Sequence, residues 1–140
     1  MYDLNKEHTK KDLRIINKST YSNNKKILSK SNFYIVTVPT PIDIKKIPDL
    51  SALINVSKVI AKNLNIGDII VFESTVYPGA TKMIIETVLN KNSKLVEGRD
   101  YFVAYSPERI NPGDKKNNLY KLKKILAINT KNSKIISKIK

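Results

Sequence analysis

The stretch Ile69-Ile70-Val71-Phe72-Glu73-Ser74-Thr75-Val76-Tyr77-Pro78-Gly79-Ala80-Thr81 decides how the rest of the chain is read. Four consecutive apolar residues, three of them β-branched, fit a strand covered on both faces, as in a parallel sheet. The run then turns polar at Glu73-Ser74-Thr75 and meets Pro78-Gly79. Beyond that turn Ala80, Ile84, Ile85, Val88 and Leu89 share one side of a helix starting near Gly79. Strand, turn and helix in this order make half of a βαβ unit.

The flanks repeat the pattern. Upstream, Phe33-Tyr34-Ile35-Val36-Thr37-Val38 reads as another strand buried on both faces, ended by Pro39 and Pro41. Asp49 or Ser51 can cap the helix that follows, on which Leu53, Val56, Ile60 and Leu64 recur at spacings of three and four. Gly67 ends that helix or the turn after it. Downstream, residues 101–105 read as a third strand, residues 106–118 as a polar loop and Lys124–Ile128 as a fourth strand. Ile135, Ile136 and Ile139 give a short apolar face to the tail. Leu13–Ile16 is a possible short strand, and a helical turn is expected around Lys26-Ile27-Leu28. Alternating strands and helices predict an α/β fold with a parallel sheet. In such sheets ligands bind beyond the carboxyl ends of the strands.

Composition narrows the function. The chain has 140 residues and no Cys, which excludes disulfides, Cys-ligated zinc and a Cys nucleophile within it. The lone histidine, His8, lies in a polar stretch and reads as solvated, and no spacing suggests a metal site. No long apolar run or signal-like N-terminus is seen, so no membrane span and a cytoplasmic location are expected. The net charge is +14, which invites a nucleic-acid reading. Yet residues 33–114 are neutral, with the excess in flanks where nearly every base is Lys. Sequence-specific readers favour Arg, so no specific nucleic-acid partner is expected.

Three segments fall just after strands and carry the chemistry. Val38-Pro39-Thr40-Pro41 is a stiff turn able to lie against a cofactor, or a simple strand terminator. Ser74 and Thr75 offer hydroxyls beside a helix start, for a ligand or only as caps. In Ser106-Pro107-Glu108-Arg109-Ile110-Asn111, Glu108 can serve as a general base and Arg109 can clamp an anion, or the two can form a surface ion pair.

In order, FYIVTVPTPID, PDLS, GDIIVFESTVYPGAT and YFVAYSPERINPGDK resemble the UDP-glucose/GDP-mannose dehydrogenase family, notably its branch acting on UDP-N-acetylhexosamines. The similarity covers residues 33–115 and weakens through Ile128. The resemblance implies the second half of a Rossmann-type doubly wound parallel sheet, with the first βαβ unit missing. It implies a basic segment at 1–32, a partial NAD-binding domain at 33–130 and the start of a further helix at 131–140. It also implies NAD-dependent oxidation of a sugar C6 alcohol to the uronate, as in polysaccharide biosynthesis. On this pattern Val38, Pro39, Thr40, Pro41, Ser74 and Thr75 line the cofactor, and Thr75 holds a catalytic water. Glu108 assists thioester hydrolysis, while Ser106, Glu108, Arg109, Ile110 and Asn111 border the UDP-sugar.

Two family features are missing. Gly67, Gly79, Gly98 and Gly113 form no GxGxxG turn, and no Cys is present for the thioester. The expectation is therefore an inactive piece of a dehydrogenase. The alternatives are one subunit of a split enzyme completed by complementing chains, or a non-enzymatic basic binding module. The full-length family implies a homodimer.

Overall fold

A computed structural model describes residues 22, 24–107, 125–132 and 135–136. The chain divides into two compact units, Met1–Ser31 and Asn32–Lys140. In the first, a 3₁₀ helix spans Lys25–Lys30, started by the Asn24 side chain, which accepts from the Lys26 N–H at 3.0 Å. It includes the turn expected at 26–28. The expected strand at Leu13–Ile16 and His8 lie outside the described residues.

The second unit is built on a four-stranded sheet in the order β1 (Phe33–Val36), β2 (Ile69–Phe72), β3 (Phe102–Tyr105), β4 (Ala127–Ile128). The first three run parallel, in registers that place Ile70 between Tyr34 and Val103. β4 pairs antiparallel with β3, Ala104 facing Ile128. The fourth strand thus departs from the all-parallel expectation. An antiparallel partner needs no helical crossover, and only two residues pair here.

Helix α1 (Ser51–Ala61) joins β1 to β2. Its four β-branched residues are not strong helix formers. Burial of Leu53, Val56, Ile60 and Ala61 along one face supplies the stability instead. Each fully buried aliphatic side chain contributes about 1.5–3 kcal/mol. Leu64 lies past the helix end and is half-buried. The Asp49 carboxylate accepts from the Ser51 N–H at 2.8 Å. That bond holds its carboxyl below the usual range.

Between β2 and β3 the expected helix is present, but it is not uniformly α-helical. It runs as α2 (Ala80–Ile84), a π-helical turn (Ile85–Leu89) and α3 (Asn90–Ser93). The Thr87 hydroxyl donates to the Met83 carbonyl at 2.7 Å, the acceptor that residue 87's own N–H takes in an α-helix. Ile84, Val88 and Leu89 are all buried.

α1 packs against the π-helical turn and α3, so both helical stretches lie on one face of the sheet. On the other face Ile69, Val71, Phe102 and Ala104 form a core closed by Ile135, Leu126 and Ile128. β2 is accordingly buried along its whole length. β1 is not. Tyr34 and Val36 are buried, whereas Phe33 is 36% and Ile35 59% exposed. This corrects the expected two-sided burial of the first strand, because the cover over β2 and β3 does not extend to it. The strand also stops at Val36 rather than Val38, for a reason that belongs to the site.

Candidate functional site at the carboxyl ends of the strands

The parallel strands point the same way, so their exits lie side by side. Backbone bonds extend the ladder past the strands: the Glu73 N–H donates to the Val36 carbonyl at 2.9 Å, and the Ser106 N–H to the Phe72 carbonyl at 2.9 Å. Residues 37–41, 73–75 and 106 therefore sit at one edge.

Beyond Val36, side chains replace ladder bonds. The Ser74 hydroxyl donates to the Val38 carbonyl at 2.6 Å. The Thr40 hydroxyl donates to the Thr75 carbonyl at 2.5 Å. With Pro39 and Pro41 lacking an N–H, the first exit turn cannot continue a regular ladder, which is why the strand ends early. The alternative that Ser74 or Thr75 only caps the next helix is not met. The cap position is Gly79, in the left-handed region at φ +90°, and no side chain bonds there.

Exposure separates these residues. Ser74 and Ser106 are buried, Val38 and Thr40 half-buried, Pro39, Pro41 and Thr75 exposed. Ser106 Oγ is buried with no hydrogen-bond partner among the described residues. A buried hydroxyl without a partner is costly. Glu108, Arg109, Ile110 and Asn111 lie outside the described residues.

The structure thus brings together Val38, Thr40, Ser74, Thr75 and Ser106 out of the residues singled out from sequence. What sequence reasoning missed is the pairing among them, since partners 35 and 36 residues apart leave no local signal.

A separate groove of about 570 Å³ lies on the helix side of β3 and β4, lined by Thr81, Ile85, Glu86, Glu97, Val103 and Tyr105 among others. None of Val38, Thr40, Ser74, Thr75 and Ser106 lines it. Burial pushes the Glu97 carboxyl up, and the Val103 N–H bonded to it pulls it partly back. Among the described residues no group of acids and histidines could hold a metal, and no helix is long and apolar enough to cross a membrane.

The sequence matches the NAD binding domain of the UDP-glucose/GDP-mannose dehydrogenase family over residues 4–139. The chain belongs to that family. The match starts well upstream of the motifs at residue 33. UDP-N-acetyl-D-glucosamine 6-dehydrogenase of Salmonella typhi is 45% identical over 128 residues, 91% of this chain and 30% of that protein. The enzyme of the same name from Pseudomonas aeruginosa is 47% identical over 119 residues, 85% of this chain and 28% of that protein. UDP-D-ManNAc dehydrogenase from Pyrococcus horikoshii superposes with a TM-score of 0.72 at 28% identity, covering 85% of this chain and 28% of that one. The chain therefore spans under a third of the length of these relatives. Family membership, the mixed α/β fold and the assignment to an NAD binding domain agree with the reading of the sequence.

Proposed function

We propose that this chain supplies the nicotinamide-side half of an NAD site in a dehydrogenase that oxidises the C6 alcohol of a UDP-N-acetylhexosamine to the uronate. The observation that carries this reading is the convergence of the β1 and β2 exits, held by the Ser74–Val38 and Thr40–Thr75 hydrogen bonds. It lies where α/β sheets bind ligands. Relatives 45% and 47% identical that bear the name of a UDP-N-acetyl-D-glucosamine 6-dehydrogenase support the substrate class.

The residues present fit part of a dinucleotide. The exposed Thr75 offers a polar group. The proline-flanked turn offers a stiff apolar wall. When bound, NAD supplies the hydride acceptor. Val38, Pro39, Thr40 and Pro41 flank it with little motion to lose on binding. Thr75 orients a water molecule by its hydroxyl. Glu108, following the third strand, takes the proton from that water as it attacks an acyl intermediate. Ser106, Arg109, Ile110 and Asn111 border the sugar nucleotide, with Arg109 matched to phosphate. The 140 residues contain neither GxGxxG nor Cys. The pyrophosphate turn and the acyl-bearing thiol must therefore come from outside them.

The test is a titration of NAD⁺ into the ¹⁵N-labelled chain. Amide signals of Val38, Thr40, Ser74 and Thr75 should move together, at millimolar rather than micromolar NAD⁺. Shifts confined to the helical groove, or none, would remove the reading. In the same samples UDP-N-acetylglucosamine should yield no absorbance at 340 nm.

A further inference from the structure

Of the hydroxyls of Thr40, Ser74, Thr75 and Ser106 at the strand-end site, two already have their only proton engaged. We propose that Thr40 and Ser74 are positioning residues, and that of these four hydroxyls the one this edge presents to a ligand is that of Thr75. The inference rests on the NAD reading above and changes which residues carry it.

A hydroxyl donates one hydrogen. Ser74 gives its hydrogen to the Val38 carbonyl, and Thr40 gives its own to the Thr75 carbonyl. The two bonds run in opposite directions between the same two turns. Together they form a reciprocal clasp across a chain separation of 35 and 36 residues. Ser74 is moreover 5% exposed, out of reach of a ligand. The Val38 carbonyl lies beyond the last paired residue of β1, so without Ser74 it would lose its partner. The Thr75 carbonyl is fixed by Thr40, and its side chain remains exposed. Ser106, at 3% exposure, is no more open to a ligand than Ser74. A clasp of this kind holds a contact group in place before the ligand arrives, which is worth more than an extra loose contact.

The experiment is a double-mutant cycle on NAD⁺ affinity in the full 140-residue chain, read from amide shifts. Thr40→Val, which keeps shape and removes the proton, should raise Kd about tenfold, the effect of one hydrogen bond of about 1.4 kcal/mol. Thr40→Ser should restore affinity to within twofold. Thr75→Val should weaken binding similarly. The double variant Thr40→Val with Thr75→Val should bind no worse than Thr75→Val alone, because Thr40 acts through Thr75. Without NAD⁺, the Val76 amide, which shares a peptide with the Thr75 carbonyl, should shift in Thr40→Val and return in Thr40→Ser. Additive losses, or a Thr40→Ser variant as weak as Thr40→Val, would overturn the inference and leave the NAD reading standing. A parent chain with no NAD⁺-dependent shift would overturn both. Should Thr40→Val not fold, Ser74→Ala takes its place in the cycle, with non-additivity against Thr75→Val again expected and additive losses again overturning the inference.

Discussion

β1 and β2 are neighbours in one parallel sheet and are written in nearly the same alphabet, yet they meet different surroundings. All four residues of β2 are buried, while β1 alternates, with Phe33 and Ile35 facing outward. The difference does not come from composition. β2 has a strand on either side and a layer on both faces, helices on one and the Ile135 cluster on the other. β1 ends the described strand order and is covered on one face. A run of apolar β-branched residues therefore reports that a strand forms, not how many of its faces are buried.

The sharpest way to break this comparison is to remove the same residue from each strand. Phe72→Ala should cost about 3–5 kcal/mol, since Phe72 is 1% exposed. Phe33→Ala should cost about 1 kcal/mol, because much of its surface already meets water. Urea unfolding of the two variants reads this directly, and equal losses would mean that β1 is buried after all.

The strands also leave the sheet differently, β1 through prolines and β2 through Gly79 at φ +90°. A Cβ at Gly79 meets nothing within 4 Å, so Gly79→Ala carries backbone strain without a clash. We expect a loss of about 1–3 kcal/mol. A thermal midpoint unchanged from the parent would show that the turn relaxes to negative φ.

The start of β2 holds a buried carboxylate. Burial pushes the Asp68 carboxyl up, against the pull of its bond to the Asn65 N–H. A folded-state value above the unfolded one gives stability that is present at low pH and lost as pH rises through the folded value. Asp68→Asn can still accept from Asn65 and should gain on the parent as pH rises from about 3 to 7, in paired melting curves. The opposite trend would mean that the hydrogen bond outweighs desolvation. Asp100 behaves the other way. Its bond to Arg99 draws the carboxyl down to about 2, so its contribution is present above the ordinary Asp range and fades only as pH falls through about 2. The smallest effect is expected on the outward face of β1. Ile35→Thr should change stability by no more than about 0.5 kcal/mol, and a larger loss in urea would reveal a cover over that face.

Much of the fold was readable from local pattern. β2 was expected at its observed bounds because apolar run, polar turn and glycine fall in a fixed order. α1 followed from the three-and-four spacing of Leu53, Val56 and Ile60. The π-helical turn was not readable, since apolar spacing alone does not separate it from an α-helical turn. Nor was the direction of β4, as Leu126, Ala127 and Ile128 suit a strand of either sense. Of the candidate site, its location at the strand ends was readable. The division of labour among its hydroxyls was not. Ser74 and Thr75 are adjacent letters with equal chemistry, and only their distant partners tell them apart.

By itself the sequence determined that strands and helices alternate, that the strand ends carry the polar groups and which family the chain belongs to. Each of those rests on patterns within about fifteen residues or on whole motifs. Only the tertiary structure decided which face of β1 is bare, that β4 runs antiparallel and that Thr40 and Ser74 bond across the two turns. Those outcomes depend on groups brought together by the packing of the whole sheet, and short-range periodicity holds no record of them.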